Sequence, residues 1–267
     1  MLPSSTPHKK YLTWGHRILG FEGKDVLEIG GCSPVHELLR FSPKSWLCVN
    51  LDGGAVDVFN REAQQRHRPR FSAVVQDAAT IDPARQFSVV YSINAFEHIQ
   101  DLRKTLSKIA QVLVPGGRFF TVFGPIWSAD IGHHLSIPTE SGAIGMFDGV
   151  LRPWEHLTST PAELRKRLEP KLGADVSQRI IEYVFTYPDI NRLFESDYMD
   201  ILGESGLNPV LVIRRKSKQR APAVAGASRT REFLWVLKKG QCSLGERAYV
   251  ASQFAMAFAH TRFIERL

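Results

Sequence analysis

The stretch Asp25-Val26-Leu27-Glu28-Ile29-Gly30-Gly31-Cys32-Ser33-Pro34 constrains the fold more than any other part of the chain. A short apolar run carries an acid, meets a glycine pair and leads into a helix predicted over 35–40. A strand, a glycine turn and a helix in that order hold a nucleotide-like ligand at the carboxyl edge of a parallel sheet, because glycine lets the backbone approach the ligand closely. Glu28 supplies a carboxylate at that point. Cys32 and Pro34 occupy the positions where the usual fingerprint has its second and third glycines. The turn is therefore atypical, and the rest of the chain has to decide what it holds.

Three further apolar runs end in the same manner. Residues 46–51 close with Asp52-Gly53-Gly54, residues 71–75 with Gln76-Asp77, and residues 87–93 with Asn94. Asp101 is a natural N-cap. Leu102, Leu106, Ile109 and Leu113 then fall on one helical face, and Pro115-Gly116-Gly117 stops that helix. Residues 118–123 make a fifth strand. Strands alternating with helices predict an α/β fold: a doubly wound, mostly parallel, seven-stranded Rossmann-like sheet. Asp52 stands about twenty residues past the glycine turn, the spacing at which an acid takes ribose hydroxyls. The polar stretch 61–70 carries no clear period.

The remaining segments complete a single-domain plan. Tyr11, Trp14, Ile18 and Leu19 predict an amphipathic N-terminal helix within 1–23. Residues 24–143 and 197–240 form the sheet core. A long loop over 124–143 carries Trp127, Asp130, His133 and His134, and long loops in compact domains tend to be functional. Residues 144–196 read as a helical lid insert, with Thr160-Pro161-Ala162-Glu163 as a capping box. Residues 210–213 and 233–237 predict an antiparallel pair that finishes the sheet. Val250, Phe254 and Phe258 predict a helix within 241–267 that packs on the core or forms a homodimer.

Composition narrows the classes. The chain has 267 residues, 43% of them hydrophobic, which suffices for a core and argues against disorder. No apolar run has the length of a membrane span, residues 1–10 hold no signal-like apolar core, and the three cysteines suggest a reducing, cytoplasmic setting. The net charge is +7 with a pI near 9.4. Part of it is local: Arg214-Arg215-Lys216-Ser217-Lys218-Gln219-Arg220, then Arg229 and Arg231, flank an Ala/Pro/Gly/Ser segment. Without interleaved aromatics this reads as a solvated hairpin loop rather than a nucleic-acid patch.

Val90-Tyr91-Ser92-Ile93-Asn94-Ala95-Phe96-Glu97-His98-Ile99 and Val112-Leu113-Val114-Pro115-Gly116-Gly117-Arg118-Phe119, taken with Val26-Leu27-Glu28-Ile29-Gly30, resemble a class I S-adenosylmethionine-dependent methyltransferase of the small-molecule type. The resemblance covers residues 24–125, and 197–240 by topology alone. It implies S-adenosylmethionine as cofactor. It places Glu28, Gly30 and Gly31 around the amino-acid portion and sugar, Asp52 on the ribose, Asp77 with Ala78 at the adenine edge, and Asn94 near the methionine amino group.

Methyl transfer from a sulfonium is largely a positioning problem, and a base is needed only where the acceptor must lose a proton. The candidate bases are His133 and His134 in the loop after the fifth strand, and His98 just past the fourth; imidazole titrates in the right range. Trp127, Trp154 and Tyr187 are candidate walls of a substrate pocket. Asp130, His133, His134, Glu155 and His156 are possible ligand types, but their spacing matches no standard metal site, so no metal is expected. The expected acceptor is a metabolite, natural product or sugar. The alternatives are an RNA or protein methyltransferase using the 214–231 loop, or a non-catalytic partner subunit, for which Cys32 and Pro34 speak.

Overall fold

The apolar runs become strands because each is buried on both faces of one sheet, as a parallel strand must be. In the computed structural model, which describes residues 6–139, 142–188 and 190–264, a helix α1 (Thr6–Leu19) precedes β1 (Asp25–Ile29), α2 (Val35–Leu38), β2 (Ser45–Asn50), α3 (Gly53–Gln65) and β3 (Phe71–Val75). Then come β4 (Phe87–Ile93), α4 (Leu102–Val112) and β5 (Leu113–Phe123). The chain returns to the sheet through α8 (Glu195–Glu204), β8 (Asn208–Lys216) and β9 (Thr230–Lys238), and α9 (Leu244–Ile264) follows.

The sheet has seven strands in the order β3-β2-β1-β4-β5-β9-β8. Strands β1 to β5 pair in parallel, and β9 pairs antiparallel with both β5 and β8. The order reverses between β1 and β4, the switch point at which ligands bind in doubly wound sheets.

Side chains that alternate along the strands feed two cores. Val26, Trp46, Val89 and Tyr91 pack with α1, α2, α3 and α9 on one face. Leu27, Leu47, Val90 and Phe119 pack with α4 and α8 on the other. Helix α4 buries Leu102, Leu106, Ile109 and Val112, and the Asp101 carboxylate accepts the Lys104 N–H as its cap. The expected stop at Pro115-Gly116-Gly117 falls later than the real one. Helix α4 ends at Val112, and the Pro-Gly-Gly segment sits inside β5, where the register to β4 slips between Phe87 and Val89.

The region 124–194 departs from the expected long loop over 124–143 and helical insert over 144–196. After the loop that leaves β5, β6 (Ser136–Thr139) and β7 (Gly142–Gly145) form a separate two-stranded antiparallel hairpin. Helices α5 (Glu155–Thr158), α6 (Pro161–Leu172) and α7 (Ala174–Phe185) follow, and Thr160 and Glu163 make the expected capping box. These elements share a third core of their own, including Leu135, Ile137, Leu164, Leu168, Ile180 and Val184. The basic stretch 61–70 divides: α3 runs to Gln65, and the rest turns back to β3. Helix α9 packs part of its apolar face on α1, with Trp14 edge-on to Phe254 at 5.4 Å and to Phe258 at 6.1 Å, while Leu244, Tyr249 and Met256 are exposed. No described helix is long and apolar enough to cross a membrane.

Candidate active site at the carboxyl edge of the sheet

The ends of β1 to β4 bring most of the expected cofactor residues onto one edge. Gly30 is exposed at φ +76° and donates its N–H to the Val49 carbonyl at 2.9 Å. A Cβ at position 30 would collide with the Cβ of Ala95, the residue after Asn94. Asn94 is exposed, adopts φ +49°, and is anchored by its N–H to the Val122 carbonyl at 2.8 Å. The turns after β1 and β4 are thus in contact, with their backbones open to the edge.

Glu28 plays a different part from the one expected. It is buried, and its carboxylate accepts from Ser33 N (3.1 and 3.2 Å), Ser33 Oγ (2.7 Å) and Trp46 Nε1 (2.8 Å). Its Oε1 would lie 2.5 Å from any Cβ on Gly31. The acid therefore ties the Gly30–Ser33 turn from beneath. Cys32 and Pro34 fit this arrangement: the turn is held by Glu28 and Ser33 rather than by further glycines. The α2 N–H groups of Val35 and His36 are taken by the Glu62 carboxylate at 2.9 and 3.0 Å.

At the end of β2, Asp52, the expected ribose acid, stands two residues past the last residue of the strand. Asp52 is the N-cap of α3, its Oδ1 accepting from Gly54 N (2.8 Å) and Ala55 N (3.2 Å). Asn50 is the last residue of the strand, with its amide 3.4 Å from the Gly30 carbonyl and its Oδ1 accepting from Asp52 N at 3.0 Å. Asn50 was missed in the sequence because Leu51 prolongs the apolar run. Leu51 is instead 73% exposed and Val75, at the end of β3, 59% exposed, so the edge presents an apolar ledge beside the polar strand ends. Asp77 caps a short turn by accepting from Ala79 N at 2.9 Å, and Ala78 is buried behind it.

A cradle that closes if Gly30 gains a side chain, exposed carboxylates and amides at successive strand ends, and an apolar ledge form a set that fits a ligand with an amino-acid end, a sugar and a flat base.

The histidines separate sharply. His98 and His134 meet edge to face at 5.2 Å. His134 lies at φ +48°, and its Nε2 is 2.5 Å from the Pro125 carbonyl. A carbonyl only accepts, so Nε2 carries the proton and Nδ1 holds the lone pair of the neutral ring. Both rings are buried, but His133 turns elsewhere: its Nδ1 accepts from Leu135 N at 3.1 Å, and its ring faces His156 at 5.6 Å. Burial pushes His133 down to about 3 and His156 down to about 4. Both rings are neutral across the physiological range.

Among the proposed pocket walls, Trp154 fastens two segments of the fold. It is buried, and its indole N–H reaches the Ser128 and Ser228 carbonyls at 3.0 and 3.1 Å, fastening the loop after β5 to the β8–β9 hairpin. Trp127 lies under the Arg192 guanidinium at 5.3 Å, and Tyr187 is exposed and stacks on Tyr183 at 5.2 Å. Asn191 is a residue the sequence did not flag. Its amide donates to the Phe96 and Ile99 carbonyls at 2.7 and 3.0 Å, and its Oδ1 accepts from Tyr198 Oη at 2.9 Å. It pins the exit of the insert beside the end of β4.

The basic 214–231 segment is mostly spoken for. Arg214 pairs with Glu195 at 2.9 Å, Arg215 with Glu232 at 2.7 Å, Arg229 with the Ser217 carbonyl at 2.8 Å, and Arg231 with buried Asp130. Lys216, Lys218 and Arg220 are left to solvent. Among the described residues no group of three or more His, Cys, Asp or Glu is placed to hold a metal.

Residues 27–121 match the family model for a methyltransferase domain. The match covers the first, parallel half of the sheet, and the seven-stranded, mostly parallel sheet is that of the Rossmann-like methyltransferase fold. A methyltransferase domain on this fold implies S-adenosylmethionine as the cofactor. Similar solved structures include a proposed S-adenosylmethionine-dependent methyltransferase from Listeria monocytogenes, with 15% identity over 88% of this chain and 100% of that one and a TM-score of 0.55. An S-adenosylmethionine-dependent methyltransferase from Mesorhizobium loti has 11% identity over 86% and 97%, with a TM-score of 0.53. A proposed sarcosine dimethylglycine methyltransferase from Galdieria sulphuraria has 13% identity over 88% and 85%, with a TM-score of 0.51. No curated protein sequence matches the chain.

Proposed function

We propose that the enzyme moves a methyl group from S-adenosylmethionine to an oxygen or nitrogen of a small acceptor, such as a metabolite, natural product or sugar. The observation that carries this reading is the attachment of the 136–194 insert. It has a core of its own, yet Asn191 bonds it directly to residues 96–99 beside the end of β4. A separately folded layer fastened there favours a roofed pocket over a flat macromolecular docking face. The basic hairpin argues the same way, since four of its arginines already pair with acids or carbonyls of the chain.

In this reading Gly30, Gly31, Asn50, Asp52, Asp77, Ala78 and Asn94 surround the cofactor, with Glu28 holding the turn from below. Bound S-adenosylmethionine supplies an activated methyl on a sulfonium. The chain's own contribution is to align the acceptor and exclude water, with Trp127 and Tyr187 as walls. Where the acceptor is a hydroxyl or protonated amine, His134 Nδ1 or His98 takes its proton. His133, neutral and closed off, packs the base of the insert. The test is incubation with methyl-labelled S-adenosylmethionine and a fractionated cell extract. Label in the dialysable small-molecule fraction is the predicted result, and label confined to RNA or protein would overturn it.

A further inference from the structure

A second cleft lies at the opposite edge of the sheet, where β2 and β3 begin. It encloses about 300 Å³ and is lined by Leu39, Ser42, His67, Phe71 and the cations Lys44, Arg68 and Arg70. A water occupies about 30 Å³, so this volume accepts one tetrahedral anion with a small body attached. Arg68 and Arg70 are exposed, and Arg70 acts electrostatically on the Asp25 carboxylate. Lys44 is shared with Asp25 at 2.8 Å, the one carboxylate paired there. Two rim residues, Ser42 (φ +47°) and His67 (φ +53°), hold left-handed backbone without being glycine. Such conformations persist only where the surroundings enforce them; here the backbone bonds Phe71 N to Arg68 O, Arg68 N to Ala63 O and Ser42 N to Leu39 O do so, at 3.0, 2.9 and 3.3 Å.

We propose that this cleft binds a phosphate monoester group, with Arg68 and Arg70 as the principal donors and Lys44 and the Ser42 hydroxyl completing the cradle. Arginine and lysine converging on a concave site are the recognition chemistry for phosphate oxygens. A nucleic-acid strand fits less well. The other basic cluster, on the β8–β9 hairpin, lies across the whole sheet order, about 29 Å away at the usual strand spacing, and at the opposite edge. The two clusters form no continuous track.

The experiment is calorimetric titration of the full chain with inorganic phosphate and glycerol 3-phosphate, beside phosphatidylcholine vesicles with and without phosphatidic acid. The expected result is saturable binding of one phosphate group per chain. It should weaken at least roughly tenfold in R68S/R70S, the loss of charge-assisted hydrogen bonds. K166S/K171S, which removes the same charge from exposed positions on α6, should bind as the wild type does. Equal S-adenosylmethionine affinity in both variants serves as the folding control. Binding of the free esters identifies a soluble ligand, and binding only to phosphatidic acid vesicles identifies a lipid headgroup. A titration that never saturates, equal weakening in the two variants, or cleft-dependent binding of an RNA oligonucleotide without phosphate binding would overturn the proposal.

Discussion

Gly30 and Ala95 face each other across the junction of the first and fourth strand ends, so closely that a Cβ on Gly30 would overlap the Ala95 methyl. Gly30 also sits at φ +76°. Gly30→Ala should therefore cost about 2–4 kcal/mol, combining a left-handed backbone penalty with overpacking. It should also weaken S-adenosylmethionine binding at least roughly tenfold. Ala95→Gly in the same chain removes the overlap but not the backbone penalty, so it should restore part of both losses. Denaturation and calorimetry on the two single variants and the double variant check this.

Glu97 lies buried beneath the same edge. Its Oε1 accepts the Gly124 N–H at 3.0 Å, while Oε2 has no partner. Burial pushes its carboxyl up to about 7, against the counter-pull of His98. Between the ordinary carboxyl range near 4.5 and pH 7 the native state holds a proton that the unfolded chain has lost. Stability from this group is thus full below about 4.5 and falls as pH rises through 7. The size is about 3 kcal/mol. Glu97→Gln mimics the protonated form. Its stability gain over the wild type should be near zero at pH 4.5 and grow towards pH 8 in chemical denaturation; a difference independent of pH would count against the assignment.

Asp130 is 1% exposed and receives Arg231 Nε at 2.9 Å and Ser217 Oγ at 2.6 Å. Arg231 is 40% exposed, which discounts the pair relative to a fully buried one. Arg231→Leu should cost about 2 kcal/mol, because it strands a buried carboxylate. Removing Lys216, Lys218 and Arg220 together by glutamine should leave stability within about 0.5 kcal/mol and methyl transfer unchanged. Thermal denaturation and the labelled-methyl assay separate the structural cations of this hairpin from the solvated ones.

The two histidines in edge contact carry the proton-transfer proposal. His134→Ala and His98→Ala should each lower turnover by roughly 10²-fold or more on a hydroxyl acceptor and leave cofactor affinity intact. His133→Ala should act through stability, since it opens a cavity beside His156. Normal turnover in both His98→Ala and His134→Ala would remove the base from the mechanism.

Strands β3 and β4 begin and end where the sequence places them, because a parallel strand buried on both faces is a continuous apolar run. The same logic misplaced the end of β2. Leu51 is apolar for the ledge it presents, not for a core, and a sequence cannot tell these apart. The β6–β7 hairpin was invisible: Ser136-Ile137-Pro138-Thr139 and Gly142-Ala143-Ile144-Gly145 are four residues each and carry proline and glycine. His133 and His134 were equivalent by spacing. The left-handed backbone at His134 sends one ring to His98 and leaves the other against His156. Glu28 is legible as an acid at the turn, but its partner Trp46 lies on β2, a separate segment of the fold.

The central claim is that the edge formed by Gly30, Asn50, Asp77 and Asn94 is an S-adenosylmethionine site despite Cys32 and Pro34. Calorimetric titration of the purified chain with S-adenosylmethionine, repeated on Gly30→Ala, tests it most directly. Saturable binding of one molecule per chain, weakened in the variant, is the predicted result. No detectable binding by a folded wild-type chain would contradict it.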